Sequence, residues 1–410
     1  MTAQKPPAPE ELTSIYRQAC TLHQNGCHRE AEKQYAELLS IVPESAALHY
    51  NMGLLLYQQE RYTESLDHYL QALEVAEEDL DLLYNLGLCL QKCGKTRQAV
   101  MVFADLAKTT PTDLDCLYNL ACCLKDLHEH DQAIEVYQRL LAVDPDYQPA
   151  INNLAYLLHL RGDLAEARGY YERLLRLNPD HQAARHMLAS VQGEKVAKAP
   201  LEYVKKVFNN YAAEFETSLV QGLGYSVPEK LRQGLAKLDG IRLPFEHALD
   251  LGCGTGLAGV AFADCCRQLT GVDLAEEMIA RAAEKGLYTH LVVAESVDFL
   301  RSTPHCYDLI LLADVMMYLG DLHPFFTAVE GCTGQDSLLC FSVETLPGED
   351  FSLQPTGRFA HSPGYIAALA EEFGWLVAAE ISTDLRKEGQ DWLPGSLFFL
   401  VRNSNQRRRP

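Results

Sequence analysis

The stretch LDLGCGTG places three glycines at alternate positions directly after an apolar run. Gly252, Gly254 and Gly256 allow a tight turn and let a ligand approach the backbone. Asp250 lies two residues before the first glycine, and Asp273 ends the next apolar run, 21 residues after Gly252. An acid in that second position can accept hydrogen bonds from both hydroxyls of a ribose. The G-x-G-x-G spacing beside an acid disfavours a pyrophosphate, which the carboxylate would repel, and favours a ligand with an ammonium and a sulfonium group.

This loop resembles the cofactor loop of class I S-adenosylmethionine-dependent methyltransferases, and the resemblance covers about residues 203–402. It implies a Rossmann-like domain of seven strands with an antiparallel last strand, and S-adenosyl-L-methionine as the cofactor. Apolar runs predict the strands at residues 247–253, 268–273, 291–295, 307–313, 337–344, 376–383 and 396–402. The first five runs alternate with helical patterns, which indicates a buried parallel sheet. The last two are joined by a loop without a helix, so we expect them to pair antiparallel.

The cofactor residues of that family can be assigned by position. The resemblance implies that Asp250 and the glycine loop hold the methionine part of the cofactor, that Asp273 binds the ribose, and that Met278 lies against the adenine. Glu295 ends the third predicted strand, where the family usually has an aspartate that receives the adenine amino group. Asp314 ends the fourth predicted strand, beside the transferred methyl group. Asp314 could instead cap the following helix.

Methyl transfer from a sulfonium is an in-line displacement, so a general base is needed only when the acceptor must lose a proton. The candidates are His361, Asp314 and Tyr318, with His323 as a weaker one. His361 lies in the long connection between the fifth and sixth predicted strands, where the family places substrate-facing residues, and histidine titrates near neutral pH. The alternative is a surface histidine in a loop. The fourth strand ends in ADVMMY, without the Asn/Asp-Pro-Pro-Tyr/Phe motif, and no Asp…Asp-Asn metal set occurs, which disfavours adenine, glutamine and catechol as acceptors.

Further segments around this domain are informative. Four aromatic residues at helical spacing precede the first strand, namely Tyr203, Phe208, Tyr211 and Phe215. They predict either a lid over the ligand or part of the core. Three stretches resemble predicted bacterial methyltransferases that carry tetratricopeptide repeats, and these are residues 208–231, 357–375 and 385–401. That group implies no defined substrate.

The first half of the chain repeats every 34 residues, in units that begin at Leu12, Ala46, Leu80, Leu114 and Gln148. Position 8 of each unit is Ala or Gly, position 20 is Ala or Ser, and position 24 is Tyr or Phe, which predicts a pair of antiparallel helices per unit. Proline at position 32 ends the second helix in every unit except at Glu77. The pattern resembles the tetratricopeptide repeat over residues 12–180. The following segment, 182–192, is typical of a capping helix without a partner.

Polar residues recur at positions 5 and 6 of these units. The set comprises Asn51, Asn85, Asn119, Asn153, Tyr50, Tyr84 and Tyr118. Position 7 is the core position, so we expect positions 5 and 6 to face the concave groove of the array. A row of amides there resembles the asparagine ladder of O-linked N-acetylglucosamine transferases, which grips an extended peptide, because an amide offers both a donor and an acceptor. The alternative is that these amides bond one helix to another.

The composition limits the partners and the compartment. The net charge of −21 argues against binding to nucleic acid or to an anionic membrane. The sequence has no secretory signal and no apolar run long enough to span a membrane, so we expect no membrane insertion. Thirteen cysteines without C-x-x-C pairs are typical of reduced thiols and disfavour a zinc cluster or another metal site. These features predict a cytoplasmic protein.

The patterns together predict an α plus α/β chain. The expected segments are a disordered N-terminus at 1–11, the array and its cap at 12–192, a linker at 193–200, a methyltransferase domain at 201–403 and a basic tail at 404–410. The hypothesis is an S-adenosylmethionine-dependent methyltransferase that acts on a protein or extended peptide bound in the groove. Two alternatives stay open: a small-molecule O-, N- or S-methyltransferase that the array tethers to an assembly, and a scaffold whose methyltransferase fold no longer turns over. The intact acids and glycines of the loop argue against the scaffold.

Overall fold

The computed structural model describes residues 9–76, 79–212, 215–348, 350–388 and 391–402. Most of the predicted disordered N-terminus, the departure at Glu77 and the basic tail lie outside the described residues. The chain divides into two compact units, Met1–Leu177 and Asn178–Pro410. This division falls before the linker that the sequence predicts at 193–200.

The first unit consists of helices in antiparallel pairs. These helices are α1 (Pro9–Gln24), α2 (His28–Ile41), α3 (Ala46–Gln58), α4 (Tyr62–Leu73), α5 (Leu80–Lys92), α6 (Thr96–Thr109), α7 (Leu114–Asp126), α8 (His130–Val143), α9 (Gln148–Arg161) and α10 (Leu164–Leu177). Each consecutive pair corresponds to one predicted unit of 34 residues. The tetratricopeptide array predicted from the sequence is therefore confirmed.

Small residues explain how the paired helices approach each other. A methyl group on Gly53 would come within 2.8 Å of the Tyr69 ring, and one on Gly87 within 2.7 Å of the Phe103 ring. Both aromatic rings are fully buried. Ser65 at position 20 donates through its Oγ to the carbonyl oxygen of Gly53, at 2.7 Å. The small residues at positions 8 and 20 therefore leave the volume that the aromatic residue at position 24 fills.

The second unit is a sheet with helices packed against it. The strands are β1 (Phe245–Leu251), β2 (Cys266–Asp273), β3 (His290–Val293), β4 (Tyr307–Leu312), β5 (Thr333–Thr345), β6 (Phe351–Leu353), β7 (Phe359–His361), β8 (Trp375–Glu388) and β9 (Asp391–Arg402). The helices are α11 (Gln182–Gln192), α12 (Leu201–Tyr211), α13 (Val227–Leu235), α14 (Leu257–Phe262), α15 (Glu276–Glu284), α16 (Ser296–Ser302), α17 (His323–Gly331) and α18 (Pro363–Glu372). Along β4, Leu309 and Leu311 belong to one core cluster, while Ile310 and Leu312 belong to another. The strand is thus buried on both faces, as its continuous apolar sequence predicts.

The order of the strands brings the predicted site residues to one edge. Strands β3, β2, β1, β4 and β5 are adjacent in that order and parallel. Strand β9 pairs antiparallel with both β5 and β8, which confirms the antiparallel arrangement expected for the last two strands. In β1, Asp250 is aligned with Gly271 of β2 and Leu311 of β4. The residues that follow β1, β2 and β4 therefore meet at the carboxyl edge, where ligands bind in open α/β sheets.

The sheet contains two strands that the sequence does not predict. Strands β6 and β7 form an antiparallel hairpin, and β7 also pairs in parallel with Glu344 and Thr345 at the end of β5. In the part of the chain that the structure describes, the sheet has nine strands rather than seven. Each of the two extra strands has three residues, which is too short for an alternating pattern to appear in the sequence.

Helix α11, which the sequence predicts to be an unpartnered cap, packs within the second unit. His186 is buried, and its Nε2 lies 2.8 Å from the carbonyl oxygen of Gly357. The same ring lies against the ring of Phe359, with 6.1 Å between the centroids. Helix α11 therefore has a partner, the β6–β7 hairpin and its turn.

Candidate active site

A cavity of about 260 Å³ lies at the carboxyl edge of the sheet. Its walls include the glycine loop after β1, residues that follow β2, β3 and β4, and the inner face of α12. Its lining includes the acids Asp250, Asp273 and Glu295. Two arginines, Arg358 and Arg386, line the cavity as well. We refer to the part with the three acids as the loop end and to the part with the arginines as the arginine end.

The glycine loop has the backbone conformation that its sequence requires. Gly252, Gly254 and Gly256 have φ angles of 75°, 53° and 94°, all in the left-handed region that favours glycine. A methyl group on Gly252 would lie 2.3 Å from a methyl carbon of Val315. A methyl group on Gly254 would meet only Phe215, at 3.9 Å. The Gly254 backbone is therefore accessible to a ligand in the cavity.

Asp273 closes this loop from the neighbouring strand. Its Oδ2 accepts a hydrogen bond from the Gly254 N–H at 2.9 Å, and its Oδ1 accepts one from the Ala275 N–H at 2.8 Å. Burial raises the pKa of this carboxyl, while the backbone N–H donors act against that rise. Each carboxylate oxygen has a second lone pair for a ligand hydroxyl. The predicted ribose acid is thus held at the cavity wall with acceptor capacity to spare.

Only one of the two carboxylate oxygens of Asp250 has a hydrogen-bond partner among the described residues. Its Oδ2 accepts a hydrogen bond of 2.6 Å from the Tyr288 hydroxyl. Its Oδ1 is buried and has no hydrogen-bond partner among the described residues. Burial raises the pKa of this carboxyl to about 7. A buried acceptor without a donor is costly, so Asp250 fits a ligand that brings an ammonium or another N–H donor into the cavity.

The two residues predicted to contact the adenine, Glu295 and Met278, lie in different surroundings. Glu295 lines the cavity, and its carboxylate also caps α16 by accepting from the Asp298 N–H at 2.8 Å. Met278 is fully buried, in a cluster with Ala212 and Ala275, and is not among the lining residues. Leu274, directly after β2, lines the cavity instead. The prediction that Met278 lies against the adenine is therefore wrong in its placement, because the Met278 side chain packs in the core and does not line the cavity.

Asp314 belongs to a buried network of charges. It has a φ of 59°, which is unusual for a residue other than glycine. Its Oδ1 accepts from the Ser342 hydroxyl at 2.8 Å, and its Oδ2 pairs with Nη1 of Arg386. Nη2 of Arg386 donates to Oε1 of Glu344 at 2.6 Å, and Nε of Arg358 donates to the same oxygen at 2.7 Å. The carboxylates thus fix both guanidinium groups at the cavity wall, and Asp314 is no helix cap.

Two tyrosines complete the arginine end. Tyr318 and Tyr225 both line the cavity, and neither hydroxyl has a hydrogen-bond partner among the described residues. Burial raises the pKa of both phenols above the usual value. Both therefore remain neutral at physiological pH and are available to donate to a ligand. The structure thus places Tyr318 at the cavity, and its role as a candidate base stays a prediction.

The structure does not bring His361 to the cavity. Its side chain is fully buried on β7, its Nε2 lies 3.1 Å from the carbonyl oxygen of Gly320, and its ring stacks on Tyr365. Burial lowers its pKa to about 4. The candidate base His361 is thus a core histidine, because the unpredicted hairpin draws it inside. The weaker candidate, His323, is bonded to Asp321 at the start of α17 and does not line the cavity either.

Three of the aromatic residues before the sheet line the cavity. Phe208, Tyr211 and Phe215 line it, and the Phe208 ring packs edge-on against Tyr318 with 5.5 Å between the centroids. Tyr203 contacts His186 of α11 instead. Three of the four predicted aromatic residues therefore line the cavity, while Phe208 and Phe215 also pack against the cluster of Ala212, Ala275 and Met278.

The asparagine row of the first unit is connected from repeat to repeat. Each Nδ2 donates to the hydroxyl of the tyrosine at position 5 in the preceding repeat, in the pairs Asn51–Tyr16, Asn85–Tyr50, Asn119–Tyr84 and Asn153–Tyr118 at 2.8, 3.0, 3.0 and 3.4 Å. The first three amides also donate to the carbonyl four residues earlier in their own helix. The amide nitrogens thus form hydrogen bonds between helices, as the alternative interpretation of the asparagine row predicts. The acceptor oxygens of Asn51, Asn85 and Asn119 have no partner in the described part of the chain.

The residues of the second unit that sequence reasoning missed include Arg358, Arg386 and Tyr225, which line the cavity, and Tyr288, which bonds to Asp250. Arg386 lies 72 residues after its partner Asp314. No local motif connects residues so far apart, although both arginines lie in the stretches that resemble bacterial methyltransferases. No group of three metal-ligating side chains occurs among the described residues. None of the described helices is both long and apolar enough to cross a membrane.

Family models match both halves of the chain. A model described as a methyltransferase domain matches residues 248–333. Two tetratricopeptide repeat models match residues 53–94 and 118–182. The first match includes the glycine loop and the following strands through β4.

Two relatives, both named nodulation protein S, are similar to part of the chain. The protein from Sinorhizobium fredii is 34% identical over 133 residues, which is 31% of this chain and 59% of that protein. The protein from Rhizobium tropici is 34% identical over 89 residues, which is 21% of this chain and 37% of that protein. The chain thus spans less than two thirds of the length of each.

Solved structures similar to part of the chain include YrrB, described as a tetratricopeptide protein, and MamA. YrrB, described as having an unusual peptide-binding site, is 22% identical with a TM-score of 0.40, over 42% of this chain and 89% of that one. MamA from Desulfovibrio magneticus is 18% identical with a TM-score of 0.40, over 42% of this chain and 97% of that one.

Proposed function

We propose that this chain, which joins tetratricopeptide repeats to a methyltransferase domain, is an S-adenosylmethionine-dependent methyltransferase that acts on a protein or extended peptide held by its array. The observation that supports the cofactor most is the loop end of the cavity. There, a buried Asp250 oxygen without a partner lies near a carboxylate, Asp273, that is bonded to the glycine loop. An N–H donor and a pair of ribose hydroxyls would satisfy these two acids.

The residues at the loop end have separate roles toward the cofactor. Asp250 accepts a hydrogen bond from the ammonium group, Asp273 accepts from the ribose hydroxyls, and Leu274 contacts the adenine together with Glu295. When bound, S-adenosylmethionine supplies an activated methyl group on a positively charged sulfur. Helix α12 and Phe215 cover this end and exclude water, which strengthens the polar contacts inside.

The residues at the arginine end orient the acceptor. The hydroxyls of Tyr225 and Tyr318 donate to it, and Asp314 accepts from it. Alignment of the acceptor with the methyl group supplies most of the acceleration that such a displacement needs. Arg386 and Ser342 hold the Asp314 carboxylate in one orientation for this purpose.

The array is proposed to bind the protein substrate. Its asparagine oxygens are acceptors for backbone N–H groups of an extended peptide, while the tyrosine hydroxyls that hold the amides have a hydrogen to donate to peptide carbonyls. This assignment differs from a simple ladder, since the amide nitrogens are already used between repeats.

Incubation of the purified chain with lysate of the host and S-adenosylmethionine labelled at its methyl group tests this function. We expect label in protein, and much less label with an Asp273→Asn variant. Label that appears only in small molecules would support the tethered small-molecule enzyme instead. Binding of the cofactor without any transfer would support the scaffold.

A further inference from the structure

Tyr288 occupies a slot that three glycines leave open. It lies between α15 and β3, and its ring lies where a methyl group on Gly256, Gly259 or Gly271 would be, at 3.1, 2.6 and 2.8 Å. These glycines belong to the loop after β1, to α14 and to β2 respectively. A larger residue at Gly259 or Gly271 would displace the ring. The sequence thus provides a fitted site for one aromatic side chain behind the glycine loop.

The hydroxyl of Tyr288 connects this slot with the predicted cofactor acid. It donates to Oδ2 of Asp250 at 2.6 Å and accepts from the Gly259 N–H at 3.2 Å. One Asp250 oxygen is thus bonded to a residue that does not line the cavity, while Asp250 itself lines it. The other oxygen is the buried acceptor without a partner.

We propose that Tyr288 is a positioning residue for cofactor binding, which directs the free oxygen of Asp250 into the cavity and keeps the carboxylate charged through its hydroxyl hydrogen bond. The proposal rests on the proposed function, since it takes S-adenosylmethionine as the ligand. Tyr288 itself does not line the cavity and touches the ligand only through Asp250.

The surroundings of Asp250 explain why this hydrogen bond matters. The titratable groups that face it are Tyr288, Asp273, Cys253 and Tyr225. None of them is a cation, and the negative charge of Asp273 favours the protonated form of Asp250. Burial raises the pKa of Asp250 in the same direction, while the Tyr288 hydroxyl lowers it. Loss of the hydroxyl therefore raises the pKa of Asp250 further above its value of about 7.

The test is calorimetric titration of the full chain with S-adenosylmethionine at several pH values between 6 and 8.5. The variant is Tyr288→Phe, which keeps the ring in its slot. The matched control is Tyr307→Phe on β4, whose hydroxyl lies 3.3 Å from Thr303 Oγ1 and whose residue is not part of the cavity lining. At each pH the dissociation constant of the variant is divided by that of the wild type. Protonation of the ligand itself affects both constants equally, so it does not change this ratio.

We expect the Tyr288→Phe ratio to be about tenfold or more at pH 6.5 and to fall to about two- or threefold at pH 8.5, because alkaline pH restores the Asp250 charge. The Tyr307→Phe ratio should stay near one throughout. A Tyr288→Phe ratio near one at every pH, or a loss that does not change with pH, overturns the positioning role. Absence of binding by the wild-type chain contradicts the proposed function itself, so the two failures are distinguishable.

Discussion

At the scale of single residues, the arginine end of the cavity holds charged side chains that have little access to bulk water. Arg386 and Glu344 are 6% and 4% exposed, so each depends on the other and on Asp314. Removing one partner of such a set leaves an uncompensated buried charge, which is strongly destabilising. The network therefore fixes the arginine end of the cavity at the same time as it limits which substitutions there will fold.

His361 gives a prediction that separates stability from catalysis. Its pKa of about 4 in the folded chain lies below the ordinary value of 6.5, so the unfolded chain binds the extra proton between these values. As the pH drops from 6.5 to 4, protonation of this histidine in the unfolded chain should lower the wild-type free energy of unfolding by up to about 3 kcal/mol. A His361→Gln variant should lose that part of the pH dependence, as measured by urea unfolding at pH 4.5 and 7.

The same variant should keep the affinity for S-adenosylmethionine and the rate of methyl transfer within about twofold, because His361 is buried outside the cavity. The comparison residue is Asp314, whose replacement by Asn should reduce transfer. A fall in turnover of about a hundredfold in His361→Gln with unchanged cofactor affinity would restore this histidine as the general base.

The residues of the candidate site also show which placements can be predicted from one sequence. The conformation of the glycine loop and the place of its two acids at the cavity were predictable, because backbone geometry imposes residue types within a short segment. Met278 and His361 were placed wrongly because a residue's distance from a motif does not fix which way its side chain faces. Tyr288 and Arg386 were missed because their partners are set by tertiary pairing.

At the scale of elements, the array depends on small residues at position 8, which is Ala or Gly in each unit. A Gly87→Ala substitution puts a methyl group 2.7 Å from the Phe103 ring, so we expect a loss of about 1–3 kcal/mol in the free energy of unfolding. Gly169 in α10 is the matched control, because a methyl group there meets nothing within 4 Å. Gly169→Ala should stabilise by about 0.5–1 kcal/mol. Thermal and urea unfolding of both variants measure this, and equal effects would contradict the packing argument.

The asparagine row predicts a stability effect at the same scale. The double variant Asn85→Ala with Asn119→Ala loses two bonds between repeats and two bonds within helices. Since each of these four bonds contributes about 0.5–1.5 kcal/mol, we expect a total loss of about 2–6 kcal/mol and a lower melting temperature. Asn25→Ala in the exposed turn after α1 is the control. A double variant that melts with the wild type would show that these bonds do not hold the repeats together.

Which segments form helices and which form strands was more predictable than which of these elements pack against each other. The helix pairs followed from a 34-residue repeat in which each position has one packing role. The seven main strands followed from apolar runs of ordinary length. The β6–β7 hairpin and the packing of α11 against it did not, because three-residue strands have no period and an amphipathic helix does not specify what covers its apolar face.

At the scale of the whole molecule, the chain joins a unit made of local contacts to a unit made of distant ones. In the array each helix pairs mainly with its neighbours in sequence, which is typical of repeat proteins and makes stability a sum of similar interfaces. In the second unit the cavity is assembled from residues between Lys198 and Arg386. The net charge of −21 makes nucleic acid an unfavourable partner for the whole chain.

The most direct measurement of the central claim is calorimetric titration of the full chain with S-adenosylmethionine, beside an Asp273→Asn variant of nearly the same volume. We predict one molecule bound per chain with a dissociation constant of about 1–100 µM. The variant should bind at least about tenfold more weakly, since a charged acceptor of two hydroxyl hydrogen bonds is lost. An absence of binding at about 1 mM cofactor, or an equal affinity in wild type and variant, would contradict the account.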